Sequence, residues 1–473
     1  MKKFTKILLI GCVLVTVSCN NWLDVDPKSQ VKDKDLFASE MGFKEALSGV
    51  YSLMTKEGLY GKELTFGWLG VLGQEWTSVP YNYEDDQKYD FENAASEVRI
   101  DSVWTGLYNA IANANKLLKE LEGKENLFSG DNYSIIKGEV LALRAYLHFD
   151  LLRIFGASCA VGMERIAIPY VTEYAPTIFP QEKVGDFVGK VLKDLQDAAK
   201  CLENDPILTG RTVSEIDDNG YLMNRQVHLN YYAVKGLMAR VYLYKGDYAN
   251  AEVCAKEVIG SGCFEWVKQE NLTNESVADL TFSTEHLFAL NIVTLGNIVD
   301  KYLDGGNNSF ALEESRLSEY YGSSYDYRYL YLFKTGVGMS NTLRYLKKYD
   351  QLESVSWAQS YRNKLPLICL PEMYYILAEC RYHSSGDVLE PLNEVCRHRG
   401  VADLSEADLS AFETLLLAEY RKEVIGGGQL FFQYKRLNRS VVPGTDVDLA
   451  GEGRYVIPMP KEELENPGWV SNQ

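Results

Sequence analysis

Hydrophobic periodicity divides the chain into helical stretches separated by aromatic, polar segments that keep no period. The densest stretch runs from Glu139 to Gly156, Glu-Val-Leu-Ala-Leu-Arg-Ala-Tyr-Leu-His-Phe-Asp-Leu-Leu-Arg-Ile-Phe-Gly. Leu141, Ala145, Phe149 and Leu152 follow one helical face and Leu143, Leu147, Leu151 and Ile154 another, which leaves no wide polar stripe for water. Such a helix must lie inside a layer of other helices. Asp150 stands three residues before Arg153, at pairing distance, whereas Arg144 and His148 are not an attractive pair. Gly156, which tolerates positive φ, is expected to end the helix.

Helical spacing also predicts helices over 36–53, with Asp35 as cap, and over 101–121, 184–202, 229–244, 251–259, 371–381 and 387–399. Two neighbouring pairs are joined by tight turns, Lys245-Gly246-Asp247-Tyr248 in one and Ser384-Ser385-Gly386 in the other. Their small-residue positions look like tetratricopeptide units, which stack because no pair buries its faces alone. The expected fold is therefore mostly α, a scaffold of four helix pairs carrying long loops and short strands. Residues 60–91 and 270–365 supply those loops. Within the second, the alternation of Tyr325, Tyr327, Tyr329 and Tyr331 reads as one side of a short strand.

Composition sharpens the picture at three points. Thirty-two Tyr and seven Trp exceed what packing demands, and such rings suit wet binding surfaces. Lys2, Lys3 and Lys6 precede an apolar run from Ile7 to Val17, too short to span a bilayer and right for a secretory signal over residues 1–18. Ser18 then stands directly before Cys19, the arrangement that lipoprotein signal peptidase recognises, so Cys19 is read as lipidated and as the membrane anchor. Removing the signal moves the formal charge from −18 to −21, and with no basic stripe a nucleic-acid partner is excluded. Residues 19–473 are expected to form one body, with an N-terminal part to residue 230 and a C-terminal part from 231.

Chemistry finds little support. The five His form no H-E-x-x-H or ligand pair, and no Walker loop, Rossmann fingerprint or G-x-S-x-G elbow is present. Seven Cys beyond residue 19 include no C-x-x-C unit; most are read as small buried hydrophobes, and Cys254 and Cys263 as unpaired. Glu84-Asp85-Asp86 reads as a solvated loop rather than a carboxylate pair or calcium site, and Gly426-Gly427-Gly428 as a helix end or close backbone contact. No catalysis, cofactor or metal is expected. A sugar ring presents C–H groups on its face and hydroxyls at its rim, so rings beside polar side chains are the better candidates. Trp68, Trp76, Tyr81 and Tyr83 stand beside Gln74, Glu75, Asn82 and Asp85, and Tyr320, Tyr321 and Tyr325 beside Asp326 and Arg328. Trp104, on a helical stretch, is assigned to the core.

The run Leu143 to Gly156 resembles the signature helix of the SusD/RagB family of outer-membrane nutrient-binding lipoproteins. Glu419-Tyr420-Arg421-Lys422-Glu423, the triple Gly and Phe431-Phe432-Gln433-Tyr434-Lys435-Arg436 are similar to a later family segment, with Gly427, Leu430 and Gln433 replacing its Glu, Arg and Asp. Ile457-Pro458-Met459-Pro460, Glu463 and Asn466-Pro467 resemble its closing pattern. The resemblance implies a surface lipoprotein that captures an oligosaccharide and passes it to a SusC-like TonB-dependent transporter, with ligand loops near the two aromatic segments. Three other readings stay open: a peptide ligand, a secreted glycoside hydrolase, and a scaffold with no small ligand.

Overall fold

Helices whose apolar stripe is too wide for a single neighbour must be covered from two sides, and that requirement sets the architecture. In the computed structural model, which describes residues 34–211, 220–274, 277–336, 342–351 and 361–472, the stack begins with α1 (Glu40–Met54), α2 (Ala94–Leu121), α3 (Asn132–Phe155), α4 (Val184–Cys201), α5 (Tyr231–Lys245) and α6 (Tyr248–Ile259). The loop layer holds α7 (Glu314–Tyr321) and α8 (Tyr327–Tyr331); α9 (Leu370–His383), α10 (Leu389–His398), α11 (Phe412–Val424) and α12 (Leu430–Arg436) follow. Each helix from α1 to α6 packs on the next, α6 packs on α9, and α9 on α10. These are the four expected helix pairs, laid side by side. The signal segment and Cys19 lie outside the described residues.

Local chemistry moves several boundaries. Ser39, not Asp35, caps α1 by accepting from the Gly42 N–H at 3.3 Å. Asn93 accepts from the Ser96 N–H at 3.0 Å, so α2 starts seven residues before the expected Asp101. Every residue of α3 from Gly138 to Phe155 is buried, as its two apolar faces require. Asp150 pairs with Arg153 as expected and also accepts from the Tyr60 hydroxyl at 2.7 Å. Arg144 turns away from the imidazole to make a bidentate pair with Asp194 on α4, both contacts 2.7 Å. His148 Nδ1 lies 2.9 Å from the Arg144 carbonyl, and its Nε2 accepts from the Val171 N–H, which makes it a neutral imidazole. Burial holds its pKa down to about 3.

Gly156 ends α3 as expected, although with φ −97° and not in the left-handed region. Close packing is the reason: a Cβ there would come within 2.5 Å of Leu152 Cδ1. The end of α3 is closed by the C-terminal segment, where the Asn472 amide donates to the carbonyls of Phe155 (2.6 Å) and Ile457 (2.8 Å). One apolar cluster runs from Phe37 to Met459 and includes Trp104, a core residue as expected.

The loop layer carries two small antiparallel sheets. β1 (His286–Asn291) pairs with β5 (Lys364–Cys369), with Leu290 opposite Leu365. β4 (Leu343–Leu346) lies between β2 (Leu312–Glu313) and β3 (Phe333–Thr335). The expected strand through Tyr325–Tyr331 is a correction, because Tyr327–Tyr331 is the helix α8. Asp326 decides this by accepting from the Arg328 N–H at 2.9 Å as an N-cap, which sets helical rather than extended backbone. All seven described cysteines are free thiols. Among the described residues no helix is long and apolar enough to cross a membrane.

Candidate functional site

The two aromatic segments meet. The Ser78 N–H donates to the Ala311 carbonyl and the Ala311 N–H returns to Ser78, each at 3.0 Å, forming an isolated antiparallel bridge. The Glu313 N–H donates to Thr77 Oγ1 at 2.7 Å, which fixes the 77–83 loop against β2 and the start of α7. From this junction Tyr81 projects with 87% of its surface exposed. Thr77, Asn82 and Glu313, which belong to the same junction, are exposed polar residues. At the far end of α7, Tyr320 is half-buried with the Arg421 guanidinium 4.2 Å from its ring centre, and Arg421 is held by the Gln74 carbonyl (2.9 Å) and the Tyr434 hydroxyl (2.5 Å). Tyr325, 76% exposed, stands on the turn that follows α7. Rings held over a rigid cation and flanked by amides and hydroxyls can stack on an apolar face while polar neighbours meet a hydroxyl rim.

Five residues expected to face a ligand are buried instead, and each correction has the same cause. Trp68 Nε1 donates to Asp86 at 3.0 Å, Trp76 Nε1 to the Phe66 carbonyl at 2.7 Å, and the Tyr83 hydroxyl to Glu63 at 2.8 Å. Trp76 and Tyr83 also flank Phe310, the neighbour of the bridging Ala311, at ring separations of 6.0 and 5.1 Å. Tyr321 donates to the Lys422 carbonyl at 3.0 Å. A ring whose polar tip finds an internal partner loses its reason to stay at the surface. Arg328 is likewise sealed in, paired with Asp326, Glu419 and Glu423. The solvated-loop reading of Glu84-Asp85-Asp86 also needs correction at Asp86, which is buried against Arg99, Trp68 and Ser96.

The buried Arg328 belongs to an ion-pair network that no local pattern announced. Arg399 makes paired contacts to Glu285 (2.9 and 2.6 Å) and Glu423 (3.0 and 2.7 Å), and Glu423 bridges on to Arg328 at 3.0 Å. Burial alone raises the pKa of Glu423, but the two guanidinium groups outweigh it and hold the carboxyl below its usual range. The triple glycine makes a close contact as expected. Gly428 has φ 69° and a Cβ there would meet the Leu64 carbonyl at 2.6 Å, while the Gly426 N–H donates to Glu75 at 2.7 Å. That bond is all Glu75 receives among the described residues: Oε1 is buried without a partner, and burial pushes its carboxyl up to about 7. No group of three His, Cys, Asp or Glu among the described residues is placed to hold a metal ion.

Residues 21–243 match a SusD-like family model described as "Starch-binding associating with outer membrane". Over those residues the chain is similar to that family. It is 24% identical over 269 residues to SusD-like protein P38 of Formosa agariphila, covering 56% of this chain and 47% of that one. A second protein of that organism, SusD-like protein P25, is 24% identical over 166 residues and covered to 31%. The chain thus spans less than half the length of these curated relatives. A SusD superfamily protein of Bacteroides thetaiotaomicron superposes with TM-score 0.73 at 21% identity, covering 92% of this chain and 100% of that one. Surface glycan-binding protein A of the same organism, solved with laminarihexaose, superposes with TM-score 0.68 at 15% identity, covering 92% and 99%. At such identities these matches show a shared SusD-like fold. Thr77 and Glu313 carry no mark in the amino-acid pattern, and Arg421, though it lies in the family-like segment, carries none that ties it to Tyr320. Their signal is spatial, since Arg421 lies about a hundred residues from the ring it supports.

Proposed function

We propose that this SusD-like chain is a non-catalytic glycan-binding lipoprotein that captures an oligosaccharide on the Tyr81–Tyr320 face. Cys19 would tether it to the outer membrane with that face towards the exterior, and a SusC-like TonB-dependent transporter would take the sugar onward. The observation that carries the reading is the Ser78–Ala311 bridge, which joins the two aromatic segments and leaves Tyr81 standing free. The family description and the laminarihexaose complex of a protein of the same fold support a glycan as ligand. Titration with laminarihexaose and maltohexaose is the test. Tyr81→Ala and Tyr320→Ala are each expected to weaken the better of these about tenfold, or ~1.4 kcal/mol, with the helical signal unchanged. Unaltered affinity in both variants, or capture of peptides in place of either glycan, overturns the assignment. Turnover of the glycan by the purified protein overturns the non-catalytic part.

A further inference from the structure

On another part of the molecule, α12 returns to the end of α3. Lys435 reaches inward and donates to the carbonyls of Arg153 (2.7 Å) and Ile154 (3.2 Å), so two of its three N–H groups are used and none meets a carboxylate. Its ammonium is almost sealed, with the residue 1% exposed. Arg165 stands nearby on the surface and makes no side-chain hydrogen bond or ion pair among the described residues. Burial drives the Lys435 pKa well below its usual value, and the charges of Arg153 and Arg165 push it further down. Helix-end carbonyls offset part of a buried cation. Arg165, exposed beside it, has no carboxylate partner among the described residues.

Between these groups opens a cavity of about 640 Å³, within the range of small-ligand sites. Arg165, Lys435 and Arg454 line it, and Glu452, paired with Arg454 at 3.2 Å, is the only carboxylate on the lining. Ser158 also lines it; the residue is 3% exposed and its buried hydroxyl has no partner. Phe91 and Tyr455 contribute apolar surface. A hollow lined by three cationic side chains and one carboxylate, with a buried hydroxyl left without a partner, in a chain of net charge −18 is an arrangement that an anion completes, since an unsatisfied buried polar group is costly.

We infer that this cavity is a second ligand site, which takes the carboxylate of an acidic sugar unit between Arg165 and Lys435 with the ring over the apolar wall. It shares no residue with the Tyr81–Tyr320 face. The need for an anion stands on the cavity alone; the choice of a sugar to carry it rests on the glycan-binding reading. The test is calorimetric titration of the full chain with D-glucuronate, D-glucose and acetate, beside laminarihexaose. Glucuronate is expected to bind saturably, glucose not, and acetate at least about tenfold more weakly than glucuronate. Arg165→Gln and Ser158→Ala remove no internal contact and are expected to fold; the first is expected to weaken glucuronate about tenfold and the second by a smaller factor. Tyr81→Ala should leave glucuronate affinity untouched while laminarihexaose affinity falls. No glucuronate binding, equal binding of glucose, or indifference to Arg165→Gln overturns the site. Acetate as tight as glucuronate overturns the sugar. Loss of glucuronate in Tyr81→Ala moves the acid to the aromatic face and also overturns the second site. Failure of laminarihexaose alone strikes only the reading of that face.

Discussion

Glu139 in the helical stack and Glu75 in the loop layer are both out of reach of water, yet the protein treats them in opposite ways. Glu139 accepts from Arg225 at 2.6 Å, from the Tyr51 hydroxyl at 2.9 Å and shares a 2.9 Å contact with His228. Burial works against its charge, but Arg225 and His228 outweigh burial and bring its pKa to about 2. Glu75 has one backbone N–H and an orphaned oxygen, so burial prevails there. The same division appears among the rings. Tyr83 is sealed onto Glu63 while Tyr81, two positions earlier, stands in solvent. Glu139 keeps its charge in the stack because partners saturate it, whereas Glu75 in the loop layer is buried with one oxygen unsatisfied, and among the loop rings Tyr83 is interior where its hydroxyl finds Glu63.

The comparison can be broken from either side. Its largest expected effect is at Trp76, where replacement by Ala removes a ring buried between the two segments and should cost about 3–5 kcal/mol in urea unfolding. A loss below about 1 kcal/mol would place that ring outside the core. Arg399→Ala strands Glu285, leaves Glu423 with Arg328 alone and should cost about 3–5 kcal/mol, which a Trp76-like fall in the urea midpoint would show.

The two glutamates give opposite pH slopes. For Glu139, whose folded pKa is lowered, stability is present above about 4.5 and is lost as pH falls towards 2, an effect of about 3 kcal/mol. Glu139→Gln should flatten that limb of the unfolding profile. For Glu75, whose folded pKa is raised, the native state holds the proton more tightly, so its contribution declines as pH climbs from about 4.5 to 7. Glu75→Gln is expected to remove this decline and to leave the variant more stable than the parent at pH 8; an unchanged slope would contradict the orphaned oxygen. The smallest effect is at Tyr81, where Ala should shift stability by less than about 0.5 kcal/mol while glycan affinity falls.

Much of the stack is legible in the order of residues alone. Period locates α3 and its neighbours, because a buried helix repeats its apolar residues at a spacing set by its own backbone. Boundaries are less legible. Ser39 and Asn93 act through single hydrogen bonds that the apolar pattern does not register. Ring content places the loop layer in the right stretches of chain, but it points to Trp68, Trp76, Tyr83, Tyr321 and Arg328 as contacts when they are interior. Their partners, Asp86, the Phe66 carbonyl, Glu63, the Lys422 carbonyl and Glu423, come from up to a hundred residues away.

The amino-acid order by itself therefore determined the helical pairs, their order and the presence of an aromatic layer, since these follow from spacing between near neighbours. Tertiary structure alone decided which rings reach solvent, that the 77–83 loop joins β2, and that cations gather beside Ser158. Each of those outcomes depends on whether a polar atom meets a partner, and that meeting happens only once distant segments have packed.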